Sequence, residues 1–511
     1  MGKYLGIELG STRIKTVLID ERANVLAQGN FEWENALVDG LWSYSLNQVK
    51  MGLRASYGSM LKDFGAPIEQ IDAIGISAMM HGYLAFDSKG KQLVPFRTWR
   101  NTNTARAADE LSRLFNFNVP MRWSVAHFYQ AVLDGEPHVG DVAYLTTLAG
   151  YVHYLLTGNK VVGIGDASGM FPVDNGNYNA EMLAKFDKLL RSRGHVRKFG
   201  DVLPKILLAG DDAGTLTADG AKLLDESGTL RPGAVLCPPE GDAGTGMVAT
   251  NSVLPRTANV SAGTSAFLMV VMSQPLAHYH KEIDVVTTPT GEPVAMVHVN
   301  NFTNEINAWA SVFAEAITLA GVKCDKNELY AKLFERSRQS DGDVGSLVGY
   351  NFLSGEPIAE VEKGVPMFAR LPDGKLTLAN FMQMQIYSAL ASLAMGVETL
   401  RAENVGIDSV SGHGGFFKTE FVGQNAMSAA LQAPVTVSHN AGEGGAWGMA
   451  ILALYTFNKR VPLAQFLQNL FANASKTTVT ATAQEKQKFA KWLQRYKQGL
   501  CAEKAASEVL L

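Results

Sequence analysis

Two short turns that combine glycine with hydroxyl residues most constrain what this 511-residue chain can fold into. The first turn lies at residues 10–13, between apolar segments, and the second lies at residues 263–265 in a similar setting. Each pattern predicts a strand, a tight turn and a second strand. Glycine lets backbone N–H groups approach an anion closely, and the hydroxyls add further donors. Two such turns about 250 residues apart predict two related half-chains that face a shared polyphosphate.

Composition excludes several classes of protein. The net charge is −4, and no basic stripe with interleaved aromatic residues is present, so nucleic acid is not an expected partner. The three cysteines, Cys237, Cys324 and Cys501, form no Cys-x-x-Cys pair, which argues against a zinc site or a disulfide framework. No signal peptide and no apolar run of about 18 residues is found, so we expect a soluble cytoplasmic protein without a membrane partner.

Apolar periodicity predicts alternating strands and helices, which is typical of α/β domains. The predicted strands after the first hairpin lie at residues 71–77, 83–87, 294–299, 409–411 and 434–437. The predicted helices lie at residues 46–61, 104–115, 141–157, 304–319, 378–403, 419–432 and 482–510. A polar turn is predicted at residues 165–169.

No P-loop motif and no Gly-x-Gly-x-x-Gly motif occurs, so phosphate binding would have to come from the two hairpin turns. Phosphoryl transfer also needs a metal ion and a base for the acceptor hydroxyl. Glu8, just before the first turn, could orient the metal, and Asp242 could accept the proton. From local sequence alone, Asp242 could equally be a turn residue in a glycine loop. His81 is either a structural histidine or a donor to a polyol hydroxyl.

The ordered set of motifs resembles the FGGY carbohydrate kinases, from about residue 4 to residue 455. The first turn is similar to the family's Asp-x-Gly-Thr phosphate motif, and Met80-His81-Gly82 is similar to the substrate loop of xylulokinases. Gly241-Asp242 matches the catalytic Gly-Asp, and residues 261–265 match the second phosphate motif. Further similar stretches lie at residues 151–158, 165–169, 201–205, 353–356, 412–415 and 443–448.

The resemblance implies a fold of two ribonuclease-H-like α/β domains, of the actin/hexokinase/Hsp70 ATPase superfold, flanking a catalytic cleft. It implies an N-terminal domain at residues 1–254, a C-terminal domain at residues 255–460 and a helical tail at residues 461–511. A homodimer is left open.

The resemblance also implies an ATP-dependent kinase that phosphorylates a primary hydroxyl of a small ketose, such as a xylulose or ribulose, or of a polyol. Asp242 would be the catalytic base, and Glu8 would hold Mg²⁺. The implied substrate-binding residues are Met80, His81, Arg100, Asn101 and Asp242. The implied ATP-binding residues are Ser11, Thr12, Arg13, Gly263, Thr264, Ser265, Gly414, Gly415 and Phe416.

Two departures from the family pattern bear on the substrate. Glu8 stands where the family usually has Asp, so the carboxylate has a longer reach. The family's Asn-Asp-Gly-Arg is absent, and residues 99–104 read Trp-Arg-Asn-Thr-Asn-Thr instead. A pocket built on amides should prefer a different hydroxyl pattern, or an anionic or carbonyl-bearing polyol. We therefore expect that D-xylulose is not the best substrate.

Other functions fit parts of the pattern. One is a sugar or nucleotide sensor without catalysis on the same scaffold, and another is a kinase of a hexulose or an unusual polyol. A chaperone-like or actin-like ATPase would leave Asp242 and the Met-His-Gly loop without a purpose. A serine hydrolase is disfavoured because no apolar strand leads directly into residues 165–169.

Overall fold

The computed structural model describes residues 2–438 and 444–511. The helices are α1 Leu46–Phe64, α2 Ala105–Phe115, α3 Ser124–Leu133, α4 Leu148–Thr157, α5 Ile164–Ala167, α6 Ala180–Ser192, α7 Ala218–Leu224, α8 Asp242–Ala249, α9 Asn304–Leu319, α10 Lys326–Ser337, α11 Leu378–Ala402, α12 Val422–Leu431, α13 Gly444–Tyr455, α14 Leu463–Leu470 and α15 Ala483–Leu510.

The strands pair into two large sheets and several small ones. They are β1 Tyr4–Leu9, β2 Arg13–Ile19, β3 Val25–Glu32, β4 Ala36–Val38, β5 Leu41–Ser43, β6 Ala73–Ala78, β7 Leu84–Phe86, β8 Tyr144–Thr146, β9 Val161–Gly163, β10 Val173–Asp174, β11 Asn177–Tyr178, β12 Lys205–Leu207, β13 Val235–Leu236, β14 Glu240–Gly241, β15 Thr257–Ala262, β16 Ala266–Val271, β17 Ile283–Thr287, β18 Pro293–Val299, β19 Leu347–Tyr350, β20 Met367–Arg370, β21 Ser409–His413, β22 Val435–Ser438 and β23 Lys476–Val479.

The two large sheets repeat one arrangement around the two turns. In the first sheet the order is β13-β6-β1-β2-β3, with β14 also pairing with β6. In the second the order is β17-β18-β16-β15-β21-β22-β23. The strand before each turn, β1 or β15, runs antiparallel to the strand after it and parallel to a later strand, β6 or β21. Both turns therefore lie at the carboxyl ends of parallel strands, where ligands commonly bind in α/β folds.

Helix α13 packs directly onto the first sheet because glycines remove the side chains between them. A Cβ atom on Gly6 of β1 would lie 2.0 Å from the carbonyl oxygen of Ala446, and one on Gly448 would lie 2.1 Å from that of Thr245 in α8. Alanine at either position would force the backbones apart. These close contacts bring the start of α13 beside Glu8 and the start of α8.

Three segments differ from the prediction. Residues 141–157 were expected to form one helix, but Tyr144–Thr146 is a strand that pairs with Leu84–Phe86, and the helix begins at Leu148. Thr147 caps that helix by accepting the N–H of Gly150 at 3.1 Å, which fixes its start. The polar turn at residues 165–169 contains the short helix Ile164–Ala167. The expected helical tail contains the strand Lys476–Val479, which extends the second sheet.

The motif expected at residues 443–448 begins at Glu443, which lies outside the described residues. In the part of the chain that the structure describes, no helix combines the length and apolar character needed to cross a membrane.

Candidate active site

A cavity of about 640 Å³ lies between the two turns, and both halves of the chain line it. The first half contributes Glu8, Ser11 and Asp242, and the second half contributes Ser261 and Ser265. Six predicted site residues (Glu8, Ser11, Met80, His81, Asp242 and Ser265) thus reach one cavity although they lie up to 257 positions apart in sequence.

Asp242 is the first residue of α8 and follows the short strand Glu240–Gly241. Its Oδ1 accepts the backbone N–H groups of Met80 at 3.3 Å and of Ala243 at 3.0 Å. The Asp242 carboxylate faces the cavity and has protein atoms around it. Its removal from bulk water raises its pKa to about 6. Gly241 permits the close approach, since a Cβ there would lie 2.1 Å from Cγ of Met80. Asp242 is therefore a fixed carboxylate that is mostly ionised at neutral pH.

Glu8 lies opposite Lys15 in the β1–β2 hairpin, and both side chains line the cavity. Burial and, to a smaller extent, the nearby Asp242 charge raise the pKa of Glu8 to about 7, although Lys15 and the Ala446 N–H oppose the shift. A buried carboxyl whose charge is disfavoured by a neighbouring carboxylate, as Glu8 is by Asp242, is a suitable setting for a divalent cation. In the described residues no group of three or more acidic, His or Cys side chains could hold a metal by itself. A Mg²⁺ ion at Glu8 would therefore need phosphate and water ligands, which is its usual preference.

The first turn presents its residues to two adjoining cavities. Ser11 lines the main cavity, whereas Thr12 and Arg13 line a second cavity of about 840 Å³. Glu8 and Lys15 line both. The Arg13 side chain is exposed and pairs with Glu32 at 3.1 Å.

The second turn lies beside the glycine pair that follows β21. Gly263 and Thr264 are exposed, and Ser265 lines the main cavity. Gly414 has φ of 109°, and a Cβ atom there would lie 2.4 Å from the carbonyl oxygen of Ala262. Gly414 and Gly415 are exposed, so their backbone is open beside the second turn.

The structure corrects the expectation for Phe416. Its side chain is buried in the core of the C-terminal half, with ring centroids 5.0 Å from Phe302 and 5.7 Å from Phe334. A large apolar ring gains more from this burial than from an exposed position at a cleft. The Phe416 ring therefore lines neither the main cavity nor the second cavity beside the first turn.

Met80 and His81 form the wall beside Asp242. His81 adopts a φ of 71°, a left-handed conformation that costs energy in a residue with a Cβ atom. Its Nδ1 lies 3.3 Å from the carbonyl oxygen of Gly169, and burial holds its pKa well below the usual value. His81 is therefore neutral, so it offers the cavity hydrogen bonding without a charge.

Arg100 and Asn101, expected at the substrate, do not line the cavity. Asn101 is buried and exchanges two hydrogen bonds with the backbone of Trp42, at 2.8 and 2.9 Å. The Arg100 guanidinium lies over the rings of Trp42 and Trp99, 5.7 and 5.5 Å from their centroids. Both residues hold the loop, and it is Trp99 that lines the cavity.

Sequence reasoning missed several residues that the structure brings to the cavity, among them Lys15, Trp99, Arg122, His298 and Asn300. Arg122 forms an ion pair with Asp284 of β17. His298 stacks on Phe267 with centroids 4.1 Å apart, and burial and the Arg122 charge lower its pKa to about 4. Lys15 could have been found from the hairpin register, which sets it opposite Glu8. Arg122 and His298 depend on contacts between distant elements, which no local pattern signals.

Two further buried carboxyls support the floor of the site. Glu240 accepts the N–H groups of Gly165 at 3.3 Å and Asp166 at 3.0 Å, and Asp166 accepts the hydroxyl of Thr147 at 2.5 Å. Burial raises the pKa of Glu240 to about 8 and that of Asp166 to about 7. The pair fixes the start of α5 against the strand that leads to Asp242.

Comparison with known proteins bears on the family of the chain. The N-terminal domain model of the FGGY family of carbohydrate kinases matches residues 3–227, and the C-terminal domain model matches residues 258–457. A xylulose kinase of Staphylococcus epidermidis (strain ATCC 35984) is 21% identical over 468 residues, 88% of this chain and 87% of that enzyme. A xylulose kinase of Lactococcus lactis is 24% identical over 255 residues, 46% of this chain, and that match spans only 48% of the relative's length.

A solved structure supports the fold over the whole chain. The gluconate kinase of Lactobacillus acidophilus superimposes with a TM-score of 0.82 at 15% identity, and the match covers 100% of both chains. The expected two-domain α/β kinase fold and the expected enzyme class, a sugar kinase, are confirmed. The two family models together cover most of the sequence, and the chain belongs to the FGGY family of carbohydrate kinases.

Proposed function

We propose that this sugar kinase transfers the γ-phosphoryl group of ATP to a primary hydroxyl of a small ketose or polyol, with Asp242 as the general base. The observation that carries the proposal is the position of Asp242, fixed by two backbone N–H groups in a cavity that both glycine–hydroxyl turns border. A base must lie within hydrogen-bond reach of the proton that it accepts, and a cavity wall beside the turns provides that position.

The protonation state of Asp242 suits this role. With a pKa of about 6, the carboxylate is ionised at neutral pH but is a stronger base than an ordinary aspartate. As the hydroxyl attacks the γ-phosphorus, Asp242 would take its proton; the new bond from the sugar oxygen to phosphorus would replace the bond to the bridging oxygen, which leaves with ADP. His81 and His298, both kept neutral, would hydrogen-bond the other sugar oxygens without competing for that proton.

The nucleotide would lie between the turns, with Ser11, Thr12, Gly263, Thr264 and Ser265 supplying backbone and hydroxyl donors. Gly414 and Gly415 would border the adenosine, because their exposed backbone allows a flat group to approach closely. Glu8 would hold Mg²⁺, which, when bound, neutralises charge on the transferred phosphoryl group. Lys15, beside Glu8, would compensate phosphate charge from the protein side.

Substrate choice would rest on the residues that line the cavity beyond Asp242. Arg122 uses one amino group to pair with Asp284, and its position on the cavity wall leaves further donors for a sugar oxygen. The expectation against D-xylulose rested on the polar residues of the divergent loop, Arg100, Asn101 and Asn103, and none of them lines the cavity. The relatives named xylulose kinase therefore make pentuloses the first sugars to test.

The test is an ADP-release assay with ATP and Mg²⁺ across D-xylulose, L-xylulose, D-ribulose, D-fructose, xylitol, glycerol and gluconate. We expect ADP release that depends on one ketose or polyol and is matched by an equal amount of sugar phosphate. ADP release that is the same with every sugar and without sugar would contradict the proposal. Nucleotide binding without any turnover across the panel would instead favour a sensor on the same scaffold.

A further inference from the structure

Aromatic residues hold the first turn from one side, through its carbonyl groups. The indole Nε1 of Trp33 donates to the carbonyl oxygen of Gly10 at 2.8 Å, and the Trp33 backbone N–H donates to that of Thr12 at 3.1 Å. Between them, the Tyr44 hydroxyl donates to the carbonyl oxygen of Ser11 at 2.6 Å. Three successive carbonyls of the turn are thus fixed by two buried residues whose rings lie 4.3 Å apart.

The opposite side of the turn consists of N–H groups. In a trans peptide the C=O and the N–H of one unit point in opposite directions. Fixing the carbonyls of Gly10 and Ser11 therefore directs the N–H groups of Ser11 and Thr12 away from the aromatic side. Neither N–H has an acceptor among the residues that the structure describes. Two neighbouring free N–H donors in a glycine turn form an anion-binding concavity.

Trp99 completes the arrangement from the substrate side. Its indole Nε1 donates to Oγ of Ser11 at 3.3 Å, and its side chain lines the main cavity. Ser11 is therefore held at its carbonyl by Tyr44 and at its hydroxyl by Trp99. The sequence predicts that the loop of residues 99–104 contacts the sugar. Through Trp99 this loop also contacts the first turn.

We propose that Trp33, Tyr44 and Trp99 act as an aromatic clamp, a set of positioning residues that fixes the first turn in its phosphate-binding conformation. This inference rests on the proposed binding of ATP phosphates at that turn. Without the clamp, the turn would have to be ordered by the nucleotide itself, and that ordering reduces affinity. The clamp acts through the turn and touches no reacting atom.

Tyr44→Phe and Trp99→Phe test the clamp, because each removes one donor and keeps a ring. Trp42→Phe is the matched control: Trp42 contacts Arg100 in the same aromatic stack, but none of its described hydrogen bonds reaches the turn. The probe is Mg²⁺ with an ATP analogue that cannot be hydrolysed, and the measurement is its Kd by calorimetry without sugar. Melting temperatures of all variants report whether the fold is retained.

We expect the Kd to rise about tenfold in Tyr44→Phe, because the partly buried Ser11 carbonyl loses its donor, and about threefold in Trp99→Phe. Trp42→Phe should stay within about twofold of the wild type. Wild-type affinity in both clamp variants, or an equal loss in Trp42→Phe, would overturn the proposal. Because no sugar enters this measurement, its outcome is independent of whether the sugar panel finds an acceptor.

Discussion

The first and second turns have the same backbone setting but different chemistry. Each follows a central strand that is antiparallel to the next strand and parallel to a later one. Two positions before the turn glycine, the first half has Glu8 and the second half has Ser261, and both side chains line the main cavity. The scaffold is therefore repeated, whereas the carboxylates, Glu8 and Asp242, belong to the first half alone.

The supports of the two turns also differ. The first turn is held by aromatic donors, as described above. In the second turn, the hydroxyl of Thr303 donates to the carbonyl oxygen of Gly263 at 2.7 Å, and the N–H of Phe302 donates to that of Thr264 at 2.9 Å. In both turns the carbonyl oxygens accept hydrogen bonds from residues outside the turn, which leaves N–H groups for an anion. The carboxylates that line the cavity thus come from the first half, while both halves present turns that we assign to phosphate binding.

Among the variants that compare the two halves, Glu8→Gln should have the largest effect on kcat. Ser261→Ala is the corresponding variant in the second half. Glu8→Gln removes the carboxylate that we assign to Mg²⁺, and we expect kcat to fall on the order of 10²-fold, with more Mg²⁺ needed for half-maximal activity. Ser261→Ala removes only a hydroxyl at the corresponding position, and kcat should change less than about threefold. Equal losses in the two variants, measured across a Mg²⁺ titration, would show that the halves are not chemically distinct.

A smaller effect should follow from loosening the second turn. Thr303→Val keeps the shape of the side chain but removes the hydroxyl that binds the Gly263 carbonyl. We expect kcat/KM for ATP to fall about fivefold while the KM for the sugar is unchanged, since one hydrogen bond is lost on the nucleotide side. Steady-state kinetics with each substrate varied in turn measures this. A change in the KM for the sugar alone would contradict the assignment of the second turn to phosphate.

The smallest effect concerns stability and pH in the first half. Glu240 keeps its proton up to a pH of about 8 in the folded protein, whereas its ordinary pKa is 4.5. Unfolding therefore releases a proton between these values, and stability decreases as the pH rises through that window. We expect the melting temperature to fall by about 2 °C from pH 6 to pH 8, and Glu240→Gln to reduce that fall.

The control for this experiment is Glu69→Gln, because Glu69 is exposed and pairs with Arg231 at the surface. Its melting temperature should show the pH dependence of the wild type. If Glu240→Gln also follows the wild type at both pH values, the buried proton on Glu240 does not govern this part of the stability.

The sequence indicated the part of the site that lies next to the turns. Glu8, Ser11 and Ser265 sit at strand ends, where a glycine–hydroxyl pattern fixes both the turn and the direction of the neighbouring side chains. Arg100 and Asn101 were predicted to contact the substrate, but they lie outside the cavity. The two hydrogen bonds between Asn101 and Trp42 set the path of their loop, and those bonds join residues 59 positions apart.

Other residues escaped prediction for related reasons. Arg122 reaches the cavity only because its loop meets β17 of the other half, at Asp284. Phe416 follows the glycine pair as expected, but its ring is buried in the hydrophobic core of the C-terminal half. Local patterns thus predict backbone shape and side-chain alternation, whereas the partner of a long side chain depends on tertiary packing.

The most direct test of the account is the kcat of Asp242→Asn with the best sugar of the panel, alongside the Kd for the ATP analogue. The amide keeps the size of the side chain and can still accept the Met80 and Ala243 N–H groups, but it cannot take the proton. We predict a loss of roughly 10²- to 10⁴-fold in kcat with nucleotide affinity within about threefold of the wild type. A variant that retains more than about a tenth of the wild-type kcat would contradict the role of Asp242 as base.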